Sequence, residues 1–329
     1  MANASEIKAF LLHLGHNMWC EWLPQELMTD AVLRKRKPDY RLACDEKLWL
    51  ETTAKLAATG TNMLVIDVGE ALAYPSHPEL AIEGSWSPDR MRAEVKRLKA
   101  MGIEAIPKLN FSATHDGWLK DYHRMLCTPE YYQVVADTIR DAVEAFDHPR
   151  FIHLGFDEER VEWMRDNNYY AARKGELWWH DFLYTTSCAE KLGVRPWVWS
   201  DMGPHKPEYC QRCPKSILQT AWYYDALNVK LSMDPKVNKH WWKLQNFLDL
   251  ESNGFDQIPC GTNWVGFGRK RAGVTADEVM GLVVKFVREH VKSTHLKGFL
   301  MAPWARCSPE DNHLNIRGAE LFAEALRQA

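Results

Sequence analysis

Short apolar runs rich in β-branched and aromatic residues alternate along the chain with longer stretches whose apolar positions recur at helical spacing. The short runs predict strands at Ala9–Leu14, Met63–Val68, Ala105–Asn110, Phe151–Phe156, Trp197–Asp201, Ile217–Trp222, Gln257–Gly261 and Gly298–Pro303. The longer ones predict helices at Asp45–Ala58, Asp89–Met101, Glu130–Phe146, Trp178–Leu192, Lys236–Asn253, Ala276–His290 and Ala319–Gln328. Between the fifth and sixth strands, Met202–Lys215 is short and rich in proline and cysteine, which predicts a fifth helix that is reduced or missing. Ser87-Pro88 and Thr128-Pro129 read as helix openings, and Met101-Gly102 and Asn253-Gly254 as helix ends. Strands alternating with helices in this way imply a parallel sheet with crossover helices. With no glycine-rich nucleotide turn after the first strand, the pattern predicts a closed (β/α)8 TIM barrel rather than a doubly wound sheet. One catalytic barrel domain over residues 1–329 accounts for the whole chain.

Composition narrows the partners. A net charge of −3 gives no electrostatic case for nucleic acid. No apolar run approaches the ~20 residues that span a bilayer, so no membrane partner is expected. Met1 to Glu6 are polar and show no signal-peptide pattern. The sequence as it stands therefore reads as cytoplasmic, with export following only if a leader has been removed. The eight cysteines are scattered, without the spacing of a disulfide framework, and read as free thiols. Cys210 and Cys213 form a lone C-x-x-C with no second pair to complete a zinc site, so a plain loop is expected there, and neither metal nor cofactor anywhere.

In a barrel of this kind chemistry sits where strands end and the following loops begin. The predicted strand ends carry His13, His16 and Asn17; Asp67 and Glu70; Lys108, Asn110 and His115; His153, Asp157 and Glu158. Later strands add Trp199 and Asp201, Trp222 with Tyr223 and Tyr224, Asn263 with Trp264, and Trp304. Of 15 tryptophans, Trp19, Trp199, Trp222, Trp264 and Trp304 fall at the mouth, where aromatic walls suit the C–H faces of a sugar.

The segment Phe151-Ile-His-Leu-Gly-Phe-Asp-Glu-Glu-Arg160 is the richest in chemistry. Strand alternation puts His153, Gly155 and Asp157 inside the barrel and Ile152 and Leu154 against the helices. Gly155 leaves room for a close approach to the strand. Adjacent carboxyl groups at 157 and 158 are expected to oppose each other's ionisation, raising one for general-acid work while the other stays charged. The seventh strand, Gln257 to Trp264, ends without the carboxylate that many glycosidases use as nucleophile, which leaves room for a substrate that attacks itself.

His153-Leu-Gly-Phe-Asp157-Glu158 resembles the H-x-G-G-D-E signature of the family-20 glycoside hydrolases, the β-N-acetylhexosaminidases, and falls on the same fourth strand. The resemblance implies a retaining glycosidase acting on a terminal β-linked 2-acetamido sugar, with the acetamido oxygen as nucleophile. By position, Asp157 would orient that group and Glu158 would be the acid/base. Tyr223 or Tyr224 would direct a hydroxyl at the acetamido group, and Trp264 and Trp304 would wall the sugar. Two positions depart from the pattern: Phe156 stands where the signature has its second glycine, and Leu14-Gly15-His16-Asn17 lacks the family's sugar-holding arginine. His16, Asn17 and Asp67 are the candidate replacements, and Asn110, His153, Trp199, Asp201 and Trp222 complete the expected substrate-binding set.

Three other readings compete. A metal-dependent barrel hydrolase or lyase would use His13, His16, Asp67, His153, Asp157 and Asp201, yet H-x-x-H spacing is expected to send the two imidazoles to opposite strand faces. Gly266 and Gly268, followed by Arg269-Lys270-Arg271, suggest a phosphate loop, or, with Arg34-Lys35-Arg36-Lys37, a preference for acidic or sulfated sugars. A non-catalytic carbohydrate-binding barrel would not need an acid beside a stabilising carboxylate.

Overall fold

The computed structural model describes residues 6–17, 39–159, 173–225, 231–264 and 276–328. Its strands are β1 (Ile7–His13), β2 (Met63–Asp67), β3 (Glu104–Lys108), β4 (Phe151–His153), β5 (Arg195–Trp199), β6 (Leu218–Thr220), β7 (Cys260–Gly261) and β8 (Gly298–Met301). The helices among the described residues are α1 (Glu46–Ala58), α2 (Pro88–Ala100), α3 (Pro129–Ala145), α4 (Glu176–Lys191), α5 (Tyr209–Arg212), α6 (Trp241–Ser252), α7 (Val279–His290) and α8 (Asn312–Gln328). All strand pairs are parallel, in the order β6-β5-β4-β3-β2-β1-β8-β7. Bridges from Gln219 to Gln257 and from Trp222 to Cys260 join β6 to β7. The eight-stranded sheet is thereby closed into a (β/α)8 barrel.

Local chemistry explains where the helices start. Asp45, Ser87 and Thr128 each accept a backbone N–H from the first turn, and proline follows Ser87 and Thr128 directly. The fifth helix is the reduced one, four residues long and flanked by Pro207 and Pro214. The last helix starts seven residues before its expected Ala319, at Asn312. Tertiary bonds hold that polar opening turn: Asn312 accepts from Thr52 of α1, and Asn315 donates to Asn312. Cys44, Cys127, Cys188, Cys210, Cys213, Cys260 and Cys307 are free thiols. No helix among the described residues is long and apolar enough to cross a membrane.

Two cores result. Alternate strand residues such as Phe10, Leu12, Leu64, Ile66, Ile152 and Leu154 pack outward on the helices, while Ala9, Leu11, Val65, Ile106, Phe151, Trp197 and Leu300 fill the barrel. Much of the tryptophan content belongs here: Trp49, Trp118, Trp178, Trp179 and Trp197 are among the largest fully buried side chains.

Above the apolar filling, the row next to the mouth is polar. His13, Asp67, Lys108 and His153 are register partners across β1 to β4. Lys108 Nζ lies 2.5 Å from Asp67 Oδ2, with the lysine side chain fully buried. His13 Nδ1 lies 3.5 Å from the same oxygen, and burial, ahead of the nearby charges, pulls this imidazole down to about 4. His153 is held well below its usual range by burial and then by Lys108. The row thus has one ion pair flanked by neutral histidines. A buried pair costs most when one member is removed. Lys108→Met should therefore lower unfolding stability by about 3–5 kcal/mol, read as a fall in the urea midpoint, and adding Asp67→Leu should recover most of the loss. A single-variant loss below about 1 kcal/mol would mean that the pair is compensated by other groups.

Candidate active site

Regular strand pairing on β4 stops at His153, and the chain then turns through an unusual backbone path. Gly155, Phe156 and Glu158 have φ of +78°, +69° and +59°. Left-handed geometry costs a residue with a Cβ on the order of 1–3 kcal/mol, so two such residues need an outside hold. The path sends Phe156 outward against Trp178 and Phe182, and leaves Asp157 buried. Alternation was carried on to Asp157 in the sequence, but regular strand structure ends at His153 and the residues beyond it form a turn.

The hold comes from the loop after β3. Asn110 Nδ2 donates to Asp157 Oδ1 at 2.8 Å, and Asn110 Oδ1 accepts from the Ser112 backbone at 3.0 Å. The hydroxyls of Ser112 and Thr114 both donate to the Asp157 carbonyl. Gly155 is what allows this approach: a Cβ there would lie 2.0 Å from Asn110 Oδ1. Glu159 accepts the Ala113 N–H at 2.6 Å and pairs with Arg173 at 2.7 Å. Arg173 in turn reaches the Phe111 carbonyl and Asp181. Neither Glu159 nor Arg173 was singled out from sequence. Only the third acid of the Asp-Glu-Glu run hinted at the first, and nothing local marked the second.

The two adjacent acids end in different surroundings. Asp157 is buried, whereas the Glu158 side chain keeps 19% of its surface exposed. Glu158 Oε2 lies 3.6 Å from His115 Nε2, and His115 Nδ1 pairs with Thr114 Oγ1 at 2.7 Å. The Glu158 backbone N–H donates to Asp201 Oδ2 at 3.2 Å, and the other Asp201 oxygen accepts the Trp222 indole N–H. Asp201 is the carboxyl group driven up, to about 7, by burial and then by the charges of Asp157 and Glu158. The raised carboxyl is thus a third acid, which follows the next strand, rather than a member of the 157–158 pair for which it was expected.

The aromatic residues separate into lining and packing. Trp199 is buried inside the barrel, 4.8 Å from His153 and 5.7 Å from Trp304 between ring centres. Trp222 stacks on Tyr224 at 4.5 Å, while Lys243 Nζ lies 3.1 Å from the Trp222 ring centre. A ring and a cation that close cannot share one face, so both faces of Trp222 are covered. Tyr223 is fully buried in the outer, helix-facing core, and Tyr224 packs on the inner one. The tyrosine hydroxyl on the barrel side is therefore that of Tyr224, 3.3 Å from Cys260 Sγ. Trp264 and Trp304 are half-buried. Trp19 and both basic runs, 34–37 and 269–271, lie outside the described residues.

On the β1 side, the strand ends at His13, so alternation does not extend to His16. Instead of lying on opposite faces, the two imidazoles meet edge to face at 5.7 Å. Glu70 accepts the backbone N–H groups of His16 and Asn17 at 2.7 and 3.0 Å, and burial pushes its carboxyl up to about 7. The Asn17 side chain binds both backbone groups of Asp39, at 2.7 and 2.9 Å. Asp67 is engaged by Lys108 and His13. Of the three proposed replacements for the arginine, Asn17 and Asp67 thus have protein partners, and His16 lies buried beside His13. Among the described residues, no three His, Cys, Asp or Glu side chains are grouped to hold a metal ion.

No protein-family model matches this chain, and no curated protein matches its sequence. Solved structures do match. The exo-β-N-acetylglucosaminidase of family 20 from Vibrio harveyi, solved with N-acetylglucosamine, is 12% identical with a TM-score of 0.60, over 95% of this chain and 54% of that one. The family-20 β-N-acetylhexosaminidase of Streptomyces coelicolor is 11% identical with a TM-score of 0.62, over 96% and 64%. Dispersin B is 13% identical with a TM-score of 0.57, over 87% and 95%. The chain spans about half the length of the Vibrio enzyme. At this level of identity the likeness establishes the fold alone, a (β/α)8 barrel like those of the family-20 enzymes.

The hold on the β4 turn can be tested at Gly155. Gly155→Ala should cost about 2–5 kcal/mol, combining strained φ with displacement of Asn110. Gly193→Ala, at φ +74° with nothing within 4 Å of the added carbon, should cost only about 1 kcal/mol. Equal losses by denaturant unfolding would show that the Asn110 contact does not brace the turn.

Proposed function

We propose that this protein is a retaining glycoside hydrolase that removes a terminal β-linked 2-acetamido sugar, with the substrate's own acetamido oxygen as nucleophile. The observation that carries this reading is the split fate of two neighbouring acids: Asp157 buried and held by Asn110, Glu158 partly exposed beside His115. A group that stabilises developing positive charge works best fixed and shielded. A group that passes protons must exchange with water. The fold shared with family-20 enzymes and the absence of a carboxylate from Gln257 to Trp264 support the same reading.

In the first step the acetamido oxygen attacks the anomeric carbon and the glycosidic bond breaks. Glu158 gives its proton to the leaving oxygen, and Asp157 accepts the acetamido N–H and steadies the cyclic cation. In the second step Glu158 takes a proton from water, which opens the ring and restores the starting configuration. Of the two tyrosines, Tyr224 is assigned the hydroxyl directed at the acetamido oxygen because it packs on the barrel side, and Trp264 and Trp304 are assigned the walls of the sugar subsite.

Glu158→Gln should lower kcat/KM by 10²–10⁴ on substrates with poor leaving groups and far less on activated aryl glycosides, which leave without a proton. An equal loss on both would remove Glu158 from the acid role. Asp157→Asn should reduce kcat by ~10²–10³ with KM within a few-fold, in line with losing one stabiliser of transition-state charge. A thiazoline mimic of the cyclised intermediate should inhibit competitively, far more tightly than substrate binds. No inhibition at high concentration would rule out acetamido participation.

A further inference from the structure

The site contains a third acid that these two steps do not use. Asp201 follows β5 with its side chain buried, and each of its oxygens accepts one N–H: Oδ2 that of the Glu158 backbone, Oδ1 that of the Trp222 indole. A carboxylate meets both donors without conflict, because it is acceptor-only. Glu158 is also one of the strained residues of the turn, at φ +59°. Asp201 is therefore the side chain that meets the backbone N–H exposed by that strain.

The charges around Asp201 come from three directions. Asp157 and Glu158 of the β4 turn oppose its ionisation, and Lys243 of α6 and the Trp222 N–H favour it. His115 faces Glu158 from the β3 loop at 3.6 Å. The Lys243 ammonium also caps the Trp222 ring, which fixes the indole that donates to Asp201.

Resting on the reading of Glu158 as the acid, we propose that Asp201 is a positioning residue: it fixes the Glu158 backbone in the left-handed turn that aims the carboxyl at the mouth, and sets a second carboxyl group near it so that each opposes the other's ionisation. The group itself is buried and pushed up to about 7.

Asp201→Asn removes the charge and turns an amide N–H₂ towards one of the two N–H donors. Carboxyl ¹³C NMR on labelled protein, with the Glu158 resonance assigned through Glu158→Gln, should show the Glu158 midpoint falling by about one unit, the size of a close like-charge effect. The alkaline limb of kcat/KM should fall with it, and kcat should drop about 10–100-fold with KM within 3-fold. A role in stability alone would lower the melting temperature without moving either midpoint. If Asp201→Asn does not fold, Trp222→Phe keeps an aromatic ring but removes one donor. The Glu158 amide proton shift should track the Asp201 titration in the native protein, and that inflection should move to higher pH in Trp222→Phe. An unmoved Glu158 midpoint in Asp201→Asn, or a Glu158 amide blind to the Asp201 titration, would overturn the proposal. Intact coupling in a protein that hydrolyses no 2-acetamido glycoside would instead overturn the hydrolase reading.

Discussion

The site depends on one constraint: the chain must leave β4 through a backbone turn that it would not adopt alone. Two side-chain-bearing residues, Phe156 and Glu158, occupy left-handed geometry there. The cost is of the same order as a few net hydrogen bonds. The β3 loop supplies them through Asn110, Ser112 and Thr114, and the Glu159–Arg173 pair bolts the far end of the turn to Phe111 and Ala113. Each bond also serves geometry. Asn110 orients the Asp157 carboxylate, and the same crossing strap leaves Glu158 facing outward beside His115.

A second consequence follows from where polarity enters the barrel. Below the mouth the interior is filled by Leu11, Val65, Ile106, Trp197 and Leu300, as in any packed barrel. At the His13-Asp67-Lys108-His153 row the filling becomes polar but stays buried, with one ion pair and two neutral imidazoles. The row gives the mouth a rigid floor of low net charge. Against such a floor the interactions among Asp157, Glu158 and Asp201 are weakly screened, which is why burial and neighbouring charge act so strongly on Asp201.

Much of this was legible in the sequence. Apolar runs located every strand, because parallel strands buried on both sides leave an unmistakable signal, and the short, proline-rich 202–215 connection announced the reduced fifth helix. Gly155 announced a close approach before its partner, Asn110, was known. What stayed hidden involved contacts distant in sequence. Arg173 stands 14 residues from Glu159 and has no local signature. Alternation was carried one turn too far at His16, since the strand stops at His13. It also could not tell Tyr223, in the outer core, from Tyr224, in the inner one. Trp222 looked like a sugar platform by position, but Tyr224 and Lys243 cover its faces. Its N–H donates to Asp201.

The claim that this mouth is built around a self-attacking acetamido group is tested most directly by substrate pairs. Matched aryl β-glycosides, identical except for a 2-acetamido or a 2-hydroxyl group, should be offered to the purified protein and kcat/KM measured for each. The account predicts turnover of the acetamido member, with the hydroxyl member slower by at least about 10³-fold, because an intramolecular nucleophile of high effective molarity is lost. Comparable rates on the two members would contradict it.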